Sequence, residues 1–335
     1  MIFNMPEMRL NLITRDWVII ATERARKPED FRQRRDRKAL PEYLETCPFC
    51  PGNEHKTPDE IMRIPDNGGW IVRVIPNKFA ELYSEGESIR KREGLKHLIT
   101  GIGSHEVIIE SPSHNTPTAL FPVDDIANII KAYKRRFIDV YSNPLIKHVI
   151  IFKNQGEASG TSIVHPHSQI IGTPVTPFHV RDRVSEARRF FDNTGECMMC
   201  ATLKDELSDG RRIILNTEHF VTFIPYAALS PFHTWIFPKR HNAAFGDIQD
   251  IEISDLAYNL KEILSRLYFG LDNPDFNFVI RSESVKESGS EYFHWYLSIV
   301  PRLAQSSGFQ LGSGIYTNPS VPEEIAGFLR KAKSC

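Results

Sequence analysis

The 335-residue chain has almost no net charge: 41 Lys plus Arg stand against 42 Asp plus Glu, a formal charge of -1. That balance removes the general electrostatic case for nucleic acid or an anionic membrane as a partner. No apolar run reaches the roughly 20 residues that a spanning helix requires. The opening MIFNMPEMRLNL lacks the basic start and apolar middle of a signal peptide. The expected compartment is therefore the cytoplasm. Cysteine is scarce, with five residues in all, and a reducing compartment argues against structural disulfides between them. What is present is an ordinary core-forming composition, 41% hydrophobic and 25% charged, long enough for two domains or one large one.

The few cysteines are not scattered. Four of them form Cys47-Pro-Phe-Cys50 and Cys197-Met-Met-Cys200, a spacing used by zinc sites and by thiol redox motifs. A redox pair should sit near a βαβ pattern, whereas CPFCPGNEHKTP runs straight into turn residues, so metal is the better reading. An internal repeat supplies the missing ligands. WIVRVIPNKFAEL (70–82) matches HFVTFIPYAALSP (219–231), and HEVIIESPSHNTP (105–117) matches HTWIFPKRHNAAF (233–245), with His114 falling on His241. HVIIFKNQGEASGTSIVHPHSQIIGTP (148–174) matches FNFVIRSESVKESGSEYFHWYLSIVPR (276–302), with His165 falling on His294. The order Cys-x-x-Cys, His, His thus occurs twice. Two Cys₂His₂ zinc sites are expected, one from Cys47, Cys50, His114 and His165, the other from Cys197, Cys200, His241 and His294. A closed tetrahedral set leaves no position for water, so both should be structural.

Segments such as WIVRVI, HEVIIE, HVIIF, HTWIF, FNFVI and WYLSIV are short, rich in β-branched and aromatic residues, and predict strands. VDDIANIIKAYKRRFIDVY and DIEISDLAYNLKEILSRLYFG have helical spacing, with Asp124 and Asp125 fitting the first turn of one helix and Gly270 the end of the other. Strands dominate, which predicts an α+β fold of antiparallel sheets with flanking helices. The boundary between the halves falls in RDRVSEARRFFDNTGE, a connecting helix and loop, giving domains 1–182 and 183–335.

The halves differ where chemistry is expected. His165-Pro-His167-Ser-Gln169 in the first corresponds to His294-Trp-Tyr296-Leu-Ser298 in the second: the ligand histidine is kept, and the second histidine and the glutamine are gone. On a strand, residues two apart share a face, so His165, His167 and Gln169 should project together. The Gly/Ser-rich run NQGEASGTS (154–162) precedes them and offers backbone N–H groups for a phosphate.

CPFC, SPSHNTP, the NQGEASGTSIVHPHSQ block and the degenerate second copy resemble the galactose-1-phosphate uridylyltransferase family, a branch of the histidine-triad superfamily. The resemblance runs over nearly the whole chain. It implies two tandem histidine-triad-like domains and a homodimer whose active sites draw residues from both subunits. It implies nucleotide-sugar and sugar-phosphate substrates, and His167 as the nucleophile that carries the nucleotidyl group. The carbonyl of His165 would hold the His167 ring, and Gln169 would bond a phosphoryl oxygen. Asn154 and Ser162 match phosphate and leaving-group positions, Arg24 and Lys27 would lie near the phosphates, and Asn77 near the nucleoside. Gly308-Phe-Gln-Leu-Gly-Ser-Gly314 puts Ser313 and Gly314 where the best-known uridylyltransferases carry hexose-gripping aromatic and acidic groups, and this glycine-rich version looks like the ADP-glucose phosphorylase branch; Phe309 in it is expected to bind substrate. The first expectation is a UDP-glucose:hexose-1-phosphate uridylyltransferase working by ping-pong exchange. The alternatives are an ADP-glucose phosphorylase or related adenylyl transferase or dinucleoside polyphosphate phosphorylase and, in another class, a zinc-stapled nucleotide-binding protein without turnover.

Overall fold

A computed structural model describes residues 5–21, 25–32, 39–287, 289–305 and 307–334. In chain order the elements are β1 (Glu7–Leu10), β2 (Trp17–Ile20), β3 (Met62–Ile64), β4 (Val72–Pro76), β5 (Arg90–Glu93), β6 (Lys96–Ile99), β7 (Ser104–Ile109), α1 (Val123–Tyr141), β8 (His148–Gln155) and β9 (His167–Thr173). Then follow α2 (Phe178–Thr194), α3 (Met198–Asp209), β10 (Ile213–Asn216), β11 (Phe220–Phe223), β12 (Thr234–Pro238), α4 (Asp250–Leu271), β13 (Phe276–Arg281), β14 (Tyr296–Pro301), α5 (Gly308–Ser313), β15 (Tyr316–Asn318) and α6 (Pro322–Lys331).

The β-branched and aromatic runs form one ten-stranded antiparallel sheet in the order β10-β11-β12-β14-β13-β8-β9-β7-β4-β3. Outward from its centre, β8-β9-β7-β4-β3 on one side answers β13-β14-β12-β11-β10 on the other. The internal repeat is therefore a pseudo-two-fold about the β8–β13 pair, where Asn154 lies opposite Asn277 and Phe152 opposite Val279. The α+β fold expected, antiparallel strands with flanking helices in two repeated halves, is the one observed, and the two halves share a single sheet.

One face of that sheet is covered by α1 and α4. Alternate strand residues such as Val72, Val74, Ile151, Phe278 and Ile299 pack with Ile126, Ile130, Leu260 and Ile263 into a core that crosses both halves. Removing this apolar surface from water, worth about 25 cal/mol per Å², does most to hold the halves together. Asp124 and Asp125 occupy the first turn of α1, where carboxylates complement the helix dipole. Gly270, expected to end the second long helix, lies inside α4; the left-handed cap is Asp272, with φ 62°. A Cβ on Gly270 would sit 3.0 Å from the Phe328 ring, so this glycine serves the close approach of α6.

The opposite face is treated differently in the two halves. In the second, α2 and α3 pack Ala187, Met198, Met199 and Leu203 onto Phe223, Trp235, Phe237 and Tyr296. In the first, the equivalent face carries His167 and opens into a cavity. Gly195 and Gly210, both at φ near +70°, end α2 and α3 in the left-handed conformation that glycine adopts without strain.

Candidate active site

Strand β9 sets the site. His167 and Gln169 point to the open face, while Ser168 points back toward α1. The His167 ring is buried, and its Nδ1 donates to the carbonyl oxygen of His165 at 2.8 Å. That partner fixes the tautomer, leaving Nε2 with a free lone pair. Burial pushes the His167 pKa down; the bond to His165 opposes this, and the Lys153 charge adds to it, so the ring is neutral near pH 7. Phe49 packs its ring edge against His167, with centroids 5.4 Å apart.

Behind β9 lies a buried polar network. Lys153 Nζ donates to Glu110 Oε2 at 2.6 Å and to the His167 carbonyl at 3.1 Å. Tyr133 bridges Glu110 and Ser168 at 3.0 and 2.8 Å, and Thr118 donates to Glu110 at 2.9 Å. Each member has at least one hydrogen-bond partner within the network, which offsets the cost of burying it in a core.

Next along the strand, Gln169 Oε1 is 2.7 Å from His105 Nε2 and 3.4 Å from Asn77 Nδ2. Asn77, at the end of β4, is held by its own backbone bond to the His105 carbonyl and by accepting from the Phe79 N–H.

The cavity in front of His167 has a volume of about 700 Å³, within the usual range for small-molecule sites, and Asn154, Ser162, Thr161, Tyr268 and Asn273 are among the residues that line it. Asn154 accepts from Asn277 Nδ2 at 2.6 Å, a bond across the junction of the halves. The glycine-rich loop beside it is built differently from expectation. Ala158 N–H donates to Asp275 Oδ2 at 2.8 Å, Ser159 N–H to the Gly156 carbonyl and Gly160 N–H to the Glu157 carbonyl. Those N–H groups are consumed within the protein and do not form a phosphate nest. Gly156, at φ 83°, is required because a Cβ there would lie 1.9 Å from Asp275 Oδ1.

Two Cys₂His₂ clusters with the spacing of a metal site are present among the described residues: Cys47, Cys50, His114 and His165, and Cys197, Cys200, His241 and His294, each with all donor atoms within 4.8 Å of one another. In the first, Cys50 Sγ lies 3.6 Å from His114 Nδ1, and both Cys47 and Cys50 lie 3.7 Å from His165 Nδ1. In the second, Cys200 Sγ lies 3.2 Å from Nδ1 of both histidines. His165 Nε2 donates to the Ser111 carbonyl at 2.7 Å and His241 Nε2 to the Ser290 carbonyl at 3.0 Å, the outer bonds that orient a ligating imidazole.

The structure thus brings His165, His167, Gln169, Asn77, Asn154 and Ser162 to one face. Lys27 is exposed at the start of a short turn, Pro28–Phe31, and Phe309 is exposed on α5; neither lines the cavity of its own chain. Arg24 lies outside the described residues. Sequence reasoning missed His105, Glu110, Lys153 and Asn277. A signal existed for His105, which heads HEVIIE and stands over His233 in the repeat.

A family model described as galactose-1-phosphate uridyl transferase, N-terminal domain, matches residues 2–177, and its C-terminal-domain counterpart matches residues 183–299. ADP-glucose phosphorylase of Arabidopsis thaliana is 36% identical over 331 residues, 97% of this chain and 93% of that protein. Galactose-1-phosphate uridylyltransferase of Thermotoga maritima is 25% identical over 339 residues, 98% of this chain and 99% of that protein. A crystal structure of an ADP-glucose phosphorylase from Arabidopsis thaliana with bound ADP-glucose aligns with a TM-score of 0.82 at 32% identity, covering 98% of this chain and 99% of that one.

Proposed function

The chain belongs to the galactose-1-phosphate uridyl transferase family, and from that membership we propose that it moves a nucleotidyl group through a covalent nucleotidyl-His167. It is an enzyme of the nucleotidyltransferase and phosphorylase type that this family comprises. The observation that carries the route is the His167 ring: Nδ1 is committed to the His165 carbonyl, so Nε2 presents its lone pair beside the cavity.

In the first step the Nε2 lone pair attacks the α-phosphorus of a nucleotide sugar. A P–N bond forms, the P–O bond to the β-phosphate breaks, and sugar 1-phosphate leaves. In the second, a phosphate oxygen of the acceptor attacks the same phosphorus and the P–N bond breaks. The neutral ring needs no base to attack, and the positive charge it gains is shared with the His165 carbonyl. Gln169 donates to a non-bridging oxygen where charge develops, and Asn154 and Ser162 contact phosphate and leaving group.

For the nucleotide, the 36% identity to an ADP-glucose phosphorylase over nearly the whole chain supports ADP-glucose as donor, AMP on His167 and inorganic phosphate as acceptor. The uridylyl reading, UDP-glucose with hexose 1-phosphate as acceptor, is supported by the family models and by relatives such as the Thermotoga maritima enzyme. Incubating the protein with each nucleotide sugar, without acceptor, and weighing it intact separates them: an AMP or a UMP adduct names the donor. No adduct with either sinks the covalent route.

Both metal sites are proposed to take zinc, the second, with its shorter S–N spacing of 3.2 Å, from its matching Cys₂His₂ donor set. Zn–S bonds near 2.3 Å and Zn–N bonds near 2.0–2.1 Å at tetrahedral angles place S and N about 3.6 Å apart, and the first cluster has 3.6 and 3.7 Å. Bound zinc would neutralise the thiolates and tie the 47–50 turn to the start of β9. Arg24, Lys27 and Phe309 are proposed to act on the site of the second subunit of a homodimer; Lys27 and Phe309 do not line the cavity of their own chain, which supports that reading. The halves are proposed to divide at 182/183 within α2, and the cytoplasm is proposed as the compartment, where a reducing environment keeps the four described cysteines free of disulfides.

A further inference from the structure

The geometry points to His105 as the positioning residue that orients Gln169, an inference that rests on the proposed role of Gln169 at the phosphoryl group. An amide is ambiguous: it can offer a substrate its oxygen, which repels a phosphate, or its NH₂, which binds one. Something must decide, and on this face that something is an imidazole of fixed polarity.

The backbone N–H of Glu81 donates to His105 Nδ1 at 3.0 Å. A nitrogen that accepts carries no proton, so in the neutral ring the proton is on Nε2. Nε2 then donates to the atom 2.7 Å away, Gln169 Oε1. Asn77 Nδ2 lies 3.0 Å from His105 Nε2 and 3.4 Å from Gln169 Oε1; because the Glu81 N–H already occupies the Nδ1 lone pair, the proton stays on Nε2 and the Asn77 amide donates to the Gln169 oxygen. With Oε1 occupied from that side, the Gln169 NH₂ is the end left for substrate, and among the described residues nothing accepts from it. His105 is buried, and its own carbonyl accepts from Asn77 N–H, so Asn77 and Gln169 are held by one residue.

The second half provides an internal contrast. His233 lies directly before β12 as His105 lies on β7, and Ser298 takes the place of Gln169 on β14. His233 Nε2 is 2.8 Å from Ser298 Oγ. Here, however, Trp235 Nε1 donates to His233 Nε2 at 3.1 Å, so that nitrogen accepts. The imidazole keeps its place but has the reverse polarity in the half that lost its nucleophile. The donor polarity belongs to the half that carries His167.

The test combines His105→Ala, His105→Gln and Gln169→Ala with the double variant, reading the rate at which the nucleotidyl adduct on His167 forms. Gln169→Ala should slow it by roughly 10²–10³-fold, the scale for loss of one charge-stabilising donor. His105→Ala should slow it at least about tenfold at unchanged metal content, and His105→Gln, whose amide still donates, should regain most of that. The double variant should be no slower than Gln169→Ala alone, since His105 acts through Gln169. A full-rate His105→Ala, or losses that multiply, overturns the assignment. Imidazole ¹⁵N shifts of the labelled protein read the tautomer independently of turnover: a proton on Nε2 is expected, and one on Nδ1 refutes the proposal even if no adduct forms. Conversely, an absent wild-type adduct with an Nε2–H tautomer counts against the covalent route and not against this orientation.

Discussion

The ammonium of Lys153 and the carboxylate of Glu110 form an ion pair at 2.6 Å with both side chains almost wholly removed from solvent. Burial opposes the charge on Glu110, but the Lys153 charge and the bonds from Lys153, Thr118 and Tyr133 outweigh it and hold the carboxyl below its ordinary range. Lys153 also donates to the His167 carbonyl, so the pair braces the strand that presents the ring. Removing one partner strands a buried charge. Lys153→Met should cost about 3–5 kcal/mol, and Lys153→Met with Glu110→Gln should recover much of it. Urea unfolding of both variants checks this, and equal stability of the two would show that the pair is not the brace.

The first metal cluster joins the 47–50 turn, His114 and the residue two before His167. Cys47→Ser should lower bound metal by one equivalent per chain and destabilise the protein by on the order of 2–5 kcal/mol, because metal loss is one of the few single-residue changes of that size. Adduct formation should fall with it, since the His165 carbonyl loses its anchor. Cys197→Ser should lower metal equally but leave adduct formation at a larger residual, because the second cluster lies in the half without a nucleophile. Metal analysis beside adduct rates decides; equal kinetic losses in both variants would place the second cluster in the catalytic machinery as well.

Much of this site was legible because the sequence is duplicated and the copies diverge. The strands HEVIIE, HVIIF, HTWIF and WYLSIV carry their period in plain view, and the two ligand sets appear as one order repeated. His167 and Gln169 are visible by subtraction, as what the second copy has lost. What was hidden depends on partners far along the chain. The polarity of His105 is set by the N–H of Glu81, and the loop at 154–162 gives its Ala158 N–H to Asp275, 117 residues away. A glycine-rich run looks the same in sequence whether its N–H groups face a ligand or a carboxylate. Gly270 was misread for a similar reason: nothing near it in sequence reports the Phe328 ring. The merging of the halves into one sheet rests on the β8–β13 pairing, a contact between strands more than 120 residues apart.

His167→Ala should abolish the covalent adduct and reduce turnover by on the order of 10⁴-fold or more, as for other nucleophiles whose function nothing nearby can replace. The ring is buried against Phe49, so some stability is lost, but the metal ligands and the network behind β9 are untouched. Circular dichroism and metal content should match the wild type. Retained turnover, or an adduct mapped by proteolysis to another residue, would remove His167 from its role.

Acid should destabilise the fold through two histidines that are buried neutral. Burial, then the charges of Arg281 and Arg183, lower His148 to about 4; burial and Arg281 lower His233 to about 3. In the unfolded chain both titrate near 6.5. Above that pH neither state binds the proton, and stability is flat. Below it the unfolded chain gains protons that the folded one refuses, so stability falls by about 1.4 kcal/mol per pH unit for each histidine, down to the folded pKa. From pH 7.5 to 5.0 the two together should cost about 4 kcal/mol by that slope, seen as a falling urea midpoint. His233→Asn, neutral throughout, should lose only about half as much over the same interval, whatever its stability at pH 7.5. Loss of metal in acid acts on both proteins alike and cancels in the comparison. Parallel curves for variant and wild type would show that His233 is protonated in the fold, and that the polar contact to Ser298 is not the neutral one described.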